Sequence, residues 1–179
     1  MILYCNADYN FSIKCGGPQI TSSGIVYDRD NETLGPATYY VTDTERWAVS
    51  NVGYFLESEN PQYESSTSSH ITNTSDVRLF QTARNSASSL RYYGLGLENG
   101  NYTVILQFSE IAFQGSFKWN TLGIRLFDIY IQVSLIWLTH FRKSVFSAPF
   151  KLISFGQTPC YLLVEYEVFI FYQIFYIYL

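Results

Sequence analysis

The segment YTVILQFSEI, Tyr102 to Ile111, constrains the fold of this chain more than any other stretch. Every second residue from Tyr102 to Phe108 is apolar, and the residues between them are polar except Ile105. A period of two residues is typical of a β-strand with one buried face and one wetter face, and an α-helix cannot gather such a pattern on one side. The segment therefore predicts a half-buried strand.

Other segments repeat this strand-like pattern and are rich in β-branched and aromatic residues. They are Gly24–Asp30, Ala37–Thr42, Arg46–Phe55, Val77–Ala83 and Leu122–Gln132. Within the third of them, Trp47, Val49 and Phe55 are the predicted core residues, and residues 56–76 read as a long polar loop. No amphipathic helix interrupts these segments. Many short strands separated by turn signals predict an all-β fold, a jelly-roll-like β-sandwich.

Composition excludes one class of partner and leaves the cysteines open. The net charge of the 179 residues is −4 and no basic run is present, so nucleic acid is not an expected partner. The three cysteines are Cys5, Cys15 and Cys160. Cys5 and Cys15 either form a bridge across a chain reversal or remain two buried thiols.

The sequence offers no convincing catalytic, metal or cofactor site. His70 and His140 do not adjoin a nucleophile motif, and no metal-ligand spacing or phosphate-binding glycine loop occurs. A glycosidase needs a pair of carboxylates, and Glu110 and Asp128 are the candidate pair in this sequence. The interpretation preferred for them is structural, with Asp128 a satisfied buried carboxylate. The chain is therefore predicted to be a non-enzyme without a cofactor.

Four N-x-[ST] sequons begin at Asn10, Asn31, Asn73 and Asn101. Four glycosylation acceptors in one short chain indicate a secreted or luminal protein. The first ten residues lack the basic start and the long apolar run of a signal peptide. The expectation is therefore that the natural amino terminus lies upstream of Met1.

Three motifs together resemble the malectin-like domain of plant leucine-rich-repeat receptor kinases. They are IKCGGPQIT, the hairpin motif YGLGLENGNYTVILQFSEIAF and the strand LGIRLFDIYIQ, all within residues 10–132. The resemblance implies a lectin-like β-sandwich on the extracellular side of the plasma membrane in the parent receptors. It also implies an oligosaccharide or cell-wall glycan as ligand, or else a receptor or peptide partner.

The resemblance further implies where sugar would bind. A malectin tyrosine falls on Tyr40, which is kept, and a second falls on Asn85, where the ring is lost. An aromatic pair falls on Ala112 and Phe113, so one ring remains. Tyr39 is a further aromatic residue in the same predicted strand as Tyr40. The predicted carbohydrate-binding residues are therefore Tyr40, Phe113 and Tyr39.

The chain changes character after Gln132, where VSLIWLTHF replaces the glycine and hairpin that the family has next. Residues 133–179 form a hydrophobic tail, which is interpreted as lying outside the domain and leaving the sandwich incomplete. Glu165 and Glu167 precede a final apolar run shorter than the about 20 residues that span a bilayer, so no transmembrane helix is predicted. Translation of a retained intron is the hypothesis for this tail. The alternatives to a glycan-binding ectodomain are a protein-interaction segment and a non-functional truncated gene product.

Overall fold

A computed structural model describes most of the chain between residues 11 and 168. The described residues are 11–33, 35–55, 63–68, 71, 74–97, 101–109, 111, 125–131, 134–141, 146–153 and 161–168. They contain thirteen strands and one short 3₁₀ turn, Val77–Phe80. The predicted all-β class is confirmed.

The strands are numbered in chain order. They are β1 (Ile13–Cys15), β2 (Ile20–Ser22), β3 (Ile25–Asp30), β4 (Ala37–Val41), β5 (Trp47–Val52), β6 (Glu64–Ser66), β7 (Thr82–Arg84), β8 (Ser89–Leu95), β9 (Asn101–Phe108), β10 (Arg125–Ile131), β11 (Ser134–Phe141), β12 (Phe146–Ile153) and β13 (Tyr161–Val168).

The largest sheet has six strands in the order β11-β10-β13-β8-β5-β4, and every neighbouring pair in it is antiparallel. A three-stranded sheet has the order β1-β3-β2, with β1 parallel to β3. Two-stranded pairings join β12 to β9 and β6 to β7. The strand β4 therefore ends the six-stranded sheet within the described part of the chain.

The three-stranded sheet packs against the inner face of the six-stranded sheet. The predicted anchors Trp47 and Val49 are fully buried there, and the Trp47 indole Nε1 donates a 3.1 Å hydrogen bond to Asp28 of β3. Phe11 lies over Gly94 of β8, where a Cβ would be only 3.1 Å from the Phe11 ring. Phe55, the third predicted anchor, is half-buried with its ring centroid 5.3 Å from that of Tyr63.

The predicted alternation of buried and more exposed residues is confirmed in β9. Val104, Leu106 and Phe108 are buried, while Ile105 and Gln107 are half-buried on the other face. The prediction that the motif containing β8 and β9 forms a hairpin was wrong. The strand β8 pairs with β5 and β13, whereas β9 pairs with β12. A short connection fixes only that two strands are consecutive, and whether they pair depends on which neighbours compete for their edges.

Two further predictions about local structure require correction. The segment Val77–Ala83 was predicted as one strand, but its first four residues form the 3₁₀ turn, followed by β7. The Asp76 side chain accepts a hydrogen bond from the Arg78 backbone N–H and so turns the chain where alternation predicts extension. The predicted loop 56–76 contains β6, which gains its strand conformation only by pairing with β7.

The strands that follow Gln132 pair with strands that precede it. The clearest case is β13, which lies between β8 and β10. The domain boundary predicted after Gln132 remains a prediction. Within the residues described, no helix has the length and apolar composition needed to cross a bilayer.

Candidate functional site

The foundation of the candidate site is a buried ion pair between Asp30, the last residue of β3, and Arg84, the last residue of β7. Both side chains are completely shielded from solvent. The Arg84 guanidinium donates to both carboxylate oxygens of Asp30. The Tyr92 hydroxyl donates a 2.6 Å hydrogen bond to the same carboxylate. Burial tends to lower the pKa of Arg84, but the adjoining Asp30 carboxylate outweighs this and raises it.

The Arg84 guanidinium also fixes the backbone that leaves β3. Its Nη2 donates to the Asp30 carbonyl, and its Nη1 donates to the Glu32 carbonyl at 2.7 Å. A carboxylate oxygen of Glu64 lies 3.8 Å from Nη1. Because these acceptors come from β3, the following loop and β6, one buried cation sets the positions of three segments.

A polar surface lies where this loop meets β4. The Arg29 guanidinium is 3.3 Å from the Glu32 carboxylate and 2.9 Å from the Asp43 carboxylate. The Glu32 and Asp43 carboxylates both lie near the Tyr40 hydroxyl. We call Tyr40, Arg29, Glu32, Asp43 and Glu64 the Tyr40 surface. It combines one half-buried aromatic ring with the nearby carboxylates of Glu32 and Asp43, the Glu64 carboxylate next to Arg84, and one exposed guanidinium.

The electrostatics of the Tyr40 surface follow from its excess of carboxylates. Partial burial raises the pKa of the Tyr40 hydroxyl, and Glu32 and Asp43 raise it further. Burial also raises the pKa of Glu64, an effect that Arg84 opposes. The Tyr40 hydroxyl therefore stays protonated and can act as both donor and acceptor.

Tyr39 lies on the opposite face of β4 from Tyr40, because consecutive residues of a strand point to opposite faces. It is 58% exposed, and its ring contacts the Tyr93 ring edge-on with centroids 5.8 Å apart. The Tyr93 hydroxyl and Ser50 Oγ are 3.1 Å apart and share a hydrogen bond. We call Tyr39, Tyr93 and Ser50 the Tyr39 face. One bound sugar ring cannot stack on both Tyr39 and Tyr40.

The remaining predicted site residues are distributed as follows. Phe113 lies outside the described residues, as do Glu110, Cys5 and His70. Among the sequons, Asn31 is exposed, Asn10 and Asn73 lie outside the described residues, and Asn101 is the first residue of β9. Asn85, at the position of the lost ring, is buried and its amide donates a 2.9 Å hydrogen bond to Ser65.

The charged residues around Tyr40 were not predicted from the sequence. The nearest signal is the run YDRDNE, Tyr27 to Glu32, which places four charged residues around the end of a strand. That run predicts a polar turn but gives no indication that Arg84 supports it. The described residues contain no group of three or more His, Cys, Asp or Glu side chains arranged to hold a metal ion.

Comparison with known proteins decides the family. The model of the malectin domain matches residues 9–138, which is well over half of the chain. The chain belongs to the malectin domain family. The matched range includes the buried Arg84–Asp30 pair and all five residues of the Tyr40 surface.

Similar proteins include two probable LRR receptor-like serine/threonine-protein kinases of Arabidopsis thaliana. They are 55% and 52% identical to the chain over 130 residues, 71% of its length. The chain spans 13% of the length of each of them.

Two solved structures share the fold at low sequence identity. The extracellular domain of ANXUR1 from Arabidopsis thaliana has a TM-score of 0.56 and 13% identity, over 94% of this chain and 48% of that one. The β-glucuronidase 2 of Bacteroides uniformis has a TM-score of 0.61 and 16% identity, over 96% of this chain and 17% of that one. At such identities the likeness concerns the fold alone.

Proposed function

We propose that the chain is a carbohydrate-binding malectin domain from the extracellular part of a plant receptor-like kinase, and that the Tyr40 surface binds the glycan. The observation that carries the proposal is the half-buried Tyr40 ring near Glu32, a residue whose backbone carbonyl is bound to the buried Arg84. Binding sites for small ligands combine an apolar contact surface with a few fixed polar groups. An aromatic ring whose hydroxyl lies near carboxylate acceptors meets this description.

The charge of the Tyr40 surface favours a neutral glycan. Glu32, Asp43 and Glu64 contribute three carboxylates, while Arg29 contributes the one exposed guanidinium. A uronic acid would bring a further negative charge to a surface already rich in carboxylates, and like charges oppose binding. Neutral hexose oligosaccharides can instead donate hydroxyl hydrogens to the same carboxylates.

An array of immobilised glycans probed with the full chain tests this function. We expect binding to neutral oligosaccharides, and binding at least about tenfold weaker after Tyr40→Ala, equivalent to about 1.4 kcal/mol. The variant Tyr40→Phe keeps the ring and removes the hydroxyl, so it separates stacking from hydrogen bonding. Phe113→Ala tests the second proposed aromatic contact on the same array.

Tyr39→Ala is the matched variant on the other face of β4. Retained binding in Tyr39→Ala together with loss in Tyr40→Ala would assign the glycan to the Tyr40 surface. The reverse pattern would assign the glycan to the Tyr39 face. If Tyr39→Ala and Tyr40→Ala both bind as the unchanged chain does, the proposed site is wrong.

The Tyr39 face favours a second candidate function, a protein-interaction segment without sugar affinity. Tyr39, Val41 and Val52 are exposed apolar residues on adjacent strands, and β4 ends the six-stranded sheet within the described residues. A secreted peptide in extended conformation could pair along β4 and cover these side chains. This candidate predicts no signal on a glycan array and peptide binding that Tyr39→Ser weakens.

Catalysis is not part of the proposed function. Asp128 lies in β10, with Glu167 of β13 directly opposite it in the register, and the fold likeness to a β-glucuronidase carries no residue correspondence. Hydrolysis of a glycoside by the chain, abolished by Asp128→Asn, would contradict this statement.

A further inference from the structure

Asn31 is an exposed glycosylation acceptor directly after the end of β3. Its sequon, Asn31-Glu32-Thr33, has exposed side chains at both Asn31 and Thr33. The amide and the hydroxyl that a glycosyltransferase must read are therefore on the surface of the folded domain, and a sugar on Asn31 is compatible with this fold.

The backbone on either side of Asn31 is held by a single buried side chain. The Asp30 carbonyl and the Glu32 carbonyl both accept hydrogen bonds from the Arg84 guanidinium. Asp30 is itself 1% exposed. With both neighbours bound to the same cation, the loop presents Asn31 from a fixed position rather than from a freely moving segment.

The residue after Asn31 is part of the Tyr40 surface. The Glu32 carboxylate is 3.3 Å from the Arg29 guanidinium and lies near the Tyr40 hydroxyl. The first sugars attached to Asn31 would therefore start one residue from a carboxylate that lies near the Tyr40 hydroxyl.

We propose that Asn31 carries an N-linked glycan that covers the Tyr40 surface and limits its access to free glycans. The inference rests on the proposed function, because glycosylation requires passage through the secretory pathway. In the modification, the Asn31 Nδ2 forms a bond to C1 of the first sugar of a lipid-pyrophosphate-linked oligosaccharide. The C1–O bond to the lipid pyrophosphate breaks, the pyrophosphate leaves with the bonding electrons, and Nδ2 loses one proton.

Two substitutions at Thr33 separate the glycan from the protein surface. Thr33→Ala destroys the sequon without changing Asn31, Glu32 or Tyr40, and Thr33→Ser keeps a functional sequon. We would secrete the full chain and both variants from a eukaryotic host and measure occupancy of Asn31 by peptide mass spectrometry. Hydroxyl-radical footprinting then reports the accessibility of Tyr40 in each protein, with Tyr39 on the opposite face as the internal control.

The expected result is an occupied Asn31 in the unchanged chain and in Thr33→Ser. Tyr40 should be oxidised severalfold faster in Thr33→Ala than in the two glycosylated forms, with Tyr39 oxidised equally in all three. Enzymatic removal of the glycan from the folded, unchanged chain should reproduce the Thr33→Ala result, which guards against a folding defect in the variant. An unmodified Asn31 in the secreted chain, or equal oxidation of Tyr40 with and without the glycan, overturns the inference.

The same proteins on a glycan array keep this inference distinct from the proposed function. Stronger array binding by Thr33→Ala than by Thr33→Ser is the expected consequence of shielding. If Tyr40 is shielded but neither form binds any glycan, the proposed function fails and the shielding stands. If the array shows binding that depends on Tyr40, but Tyr40 is oxidised at the same rate with and without the glycan, only the shielding proposal is contradicted.

Discussion

Arg84 and Asp30 are both removed from water, and each is the principal charged partner of the other. The pair is surrounded by further acceptors and donors, including Tyr92, the backbone N–H of Gly16 and the Glu32 carbonyl. Removing two charges from water is expensive, and the cost is offset only when the geometry is good and the remaining polar groups are satisfied. The arrangement around Arg84 meets both conditions.

Replacing Arg84 by Ala should lower the free energy of unfolding by about 3–5 kcal/mol, because it leaves the Asp30 carboxylate buried without a counter-ion. The midpoint of urea unfolding of the full chain measures the change. Arg29→Ala is the control, since Arg29 is exposed and pairs at the surface with Asp43, where such pairs contribute about 1 kcal/mol or less. Equal losses in Arg84→Ala and Arg29→Ala would contradict the structural role given to the buried pair.

At the scale of elements, the short turn before β7 and the end of β1 both depend on residues that alternation does not reveal. Asp76 accepts hydrogen bonds from the Arg78 backbone and guanidinium, which lowers the pKa of the Asp76 carboxyl to about 2. Gly16 has a φ of +63° and follows β1 directly. Each residue fixes the direction in which the chain leaves or enters a strand.

The contribution of Asp76 to stability should depend on pH in a defined window. Because the folded-state pKa lies below the ordinary value of about 3.9, the stabilisation is complete above about pH 4 and is lost as the pH falls toward 2. The measurement is the difference in unfolding free energy between the unchanged chain and Asp76→Asn at several pH values. A difference that stays constant from pH 5 to about 2 would show that the ionised carboxylate contributes nothing.

Gly16→Ala should be more destabilising than Gly24→Ala, although both glycines have a positive φ. At Gly16 a new Cβ would lie 2.2 Å from the Ala83 backbone of β7, whereas at Gly24 nothing lies within 4 Å. Gly24→Ala therefore carries only the left-handed backbone cost of about 1–2 kcal/mol, and Gly16→Ala adds a steric conflict. Thermal unfolding of the two variants compares them directly, and equal melting temperatures would contradict the close approach of β1 and β7.

At the scale of the whole molecule, the six-stranded sheet joins early and late parts of the chain. The strand β13 pairs along its length with β8 on one side and with β10 on the other. Its position is internal, whereas β4 ends the sheet in the described part of the chain. Backbone amides of an internal strand have partners on both sides and are protected from exchange by the whole sheet.

Amide hydrogen exchange of the full chain should therefore show β13 protected to the same extent as β8, and β4 exchanging faster than either. Mass spectrometry of peptides covering Tyr161–Val168 and Ser89–Leu95 makes the comparison. Rapid exchange throughout residues 134–168, with β8 still protected, would instead support the predicted domain boundary after Gln132.

The local alternation of apolar and polar residues in the sequence was enough to predict the fold class and much of the core. The period of two in β9 is set by the covalent geometry of an extended chain, so it identifies the buried face of Val104 and Leu106 without reference to other strands. Trp47 and Val49 were predicted as core residues for the same reason. The three quoted motifs also indicated the malectin family, which the family match confirms.

Only the tertiary structure decided which strands pair and which side chains meet. Asp30 and Arg84 lie 54 residues apart, and the sequence contains no signal that joins them. The same holds for Tyr39 and Tyr40, which adjoin in sequence but lie on opposite faces of β4, with Tyr39 against Tyr93 and Tyr40 near Glu32 and Asp43. A strand's periodicity is determined locally, whereas the neighbour on each face depends on sheet order and on long-range contacts, and those determine where a ligand can bind.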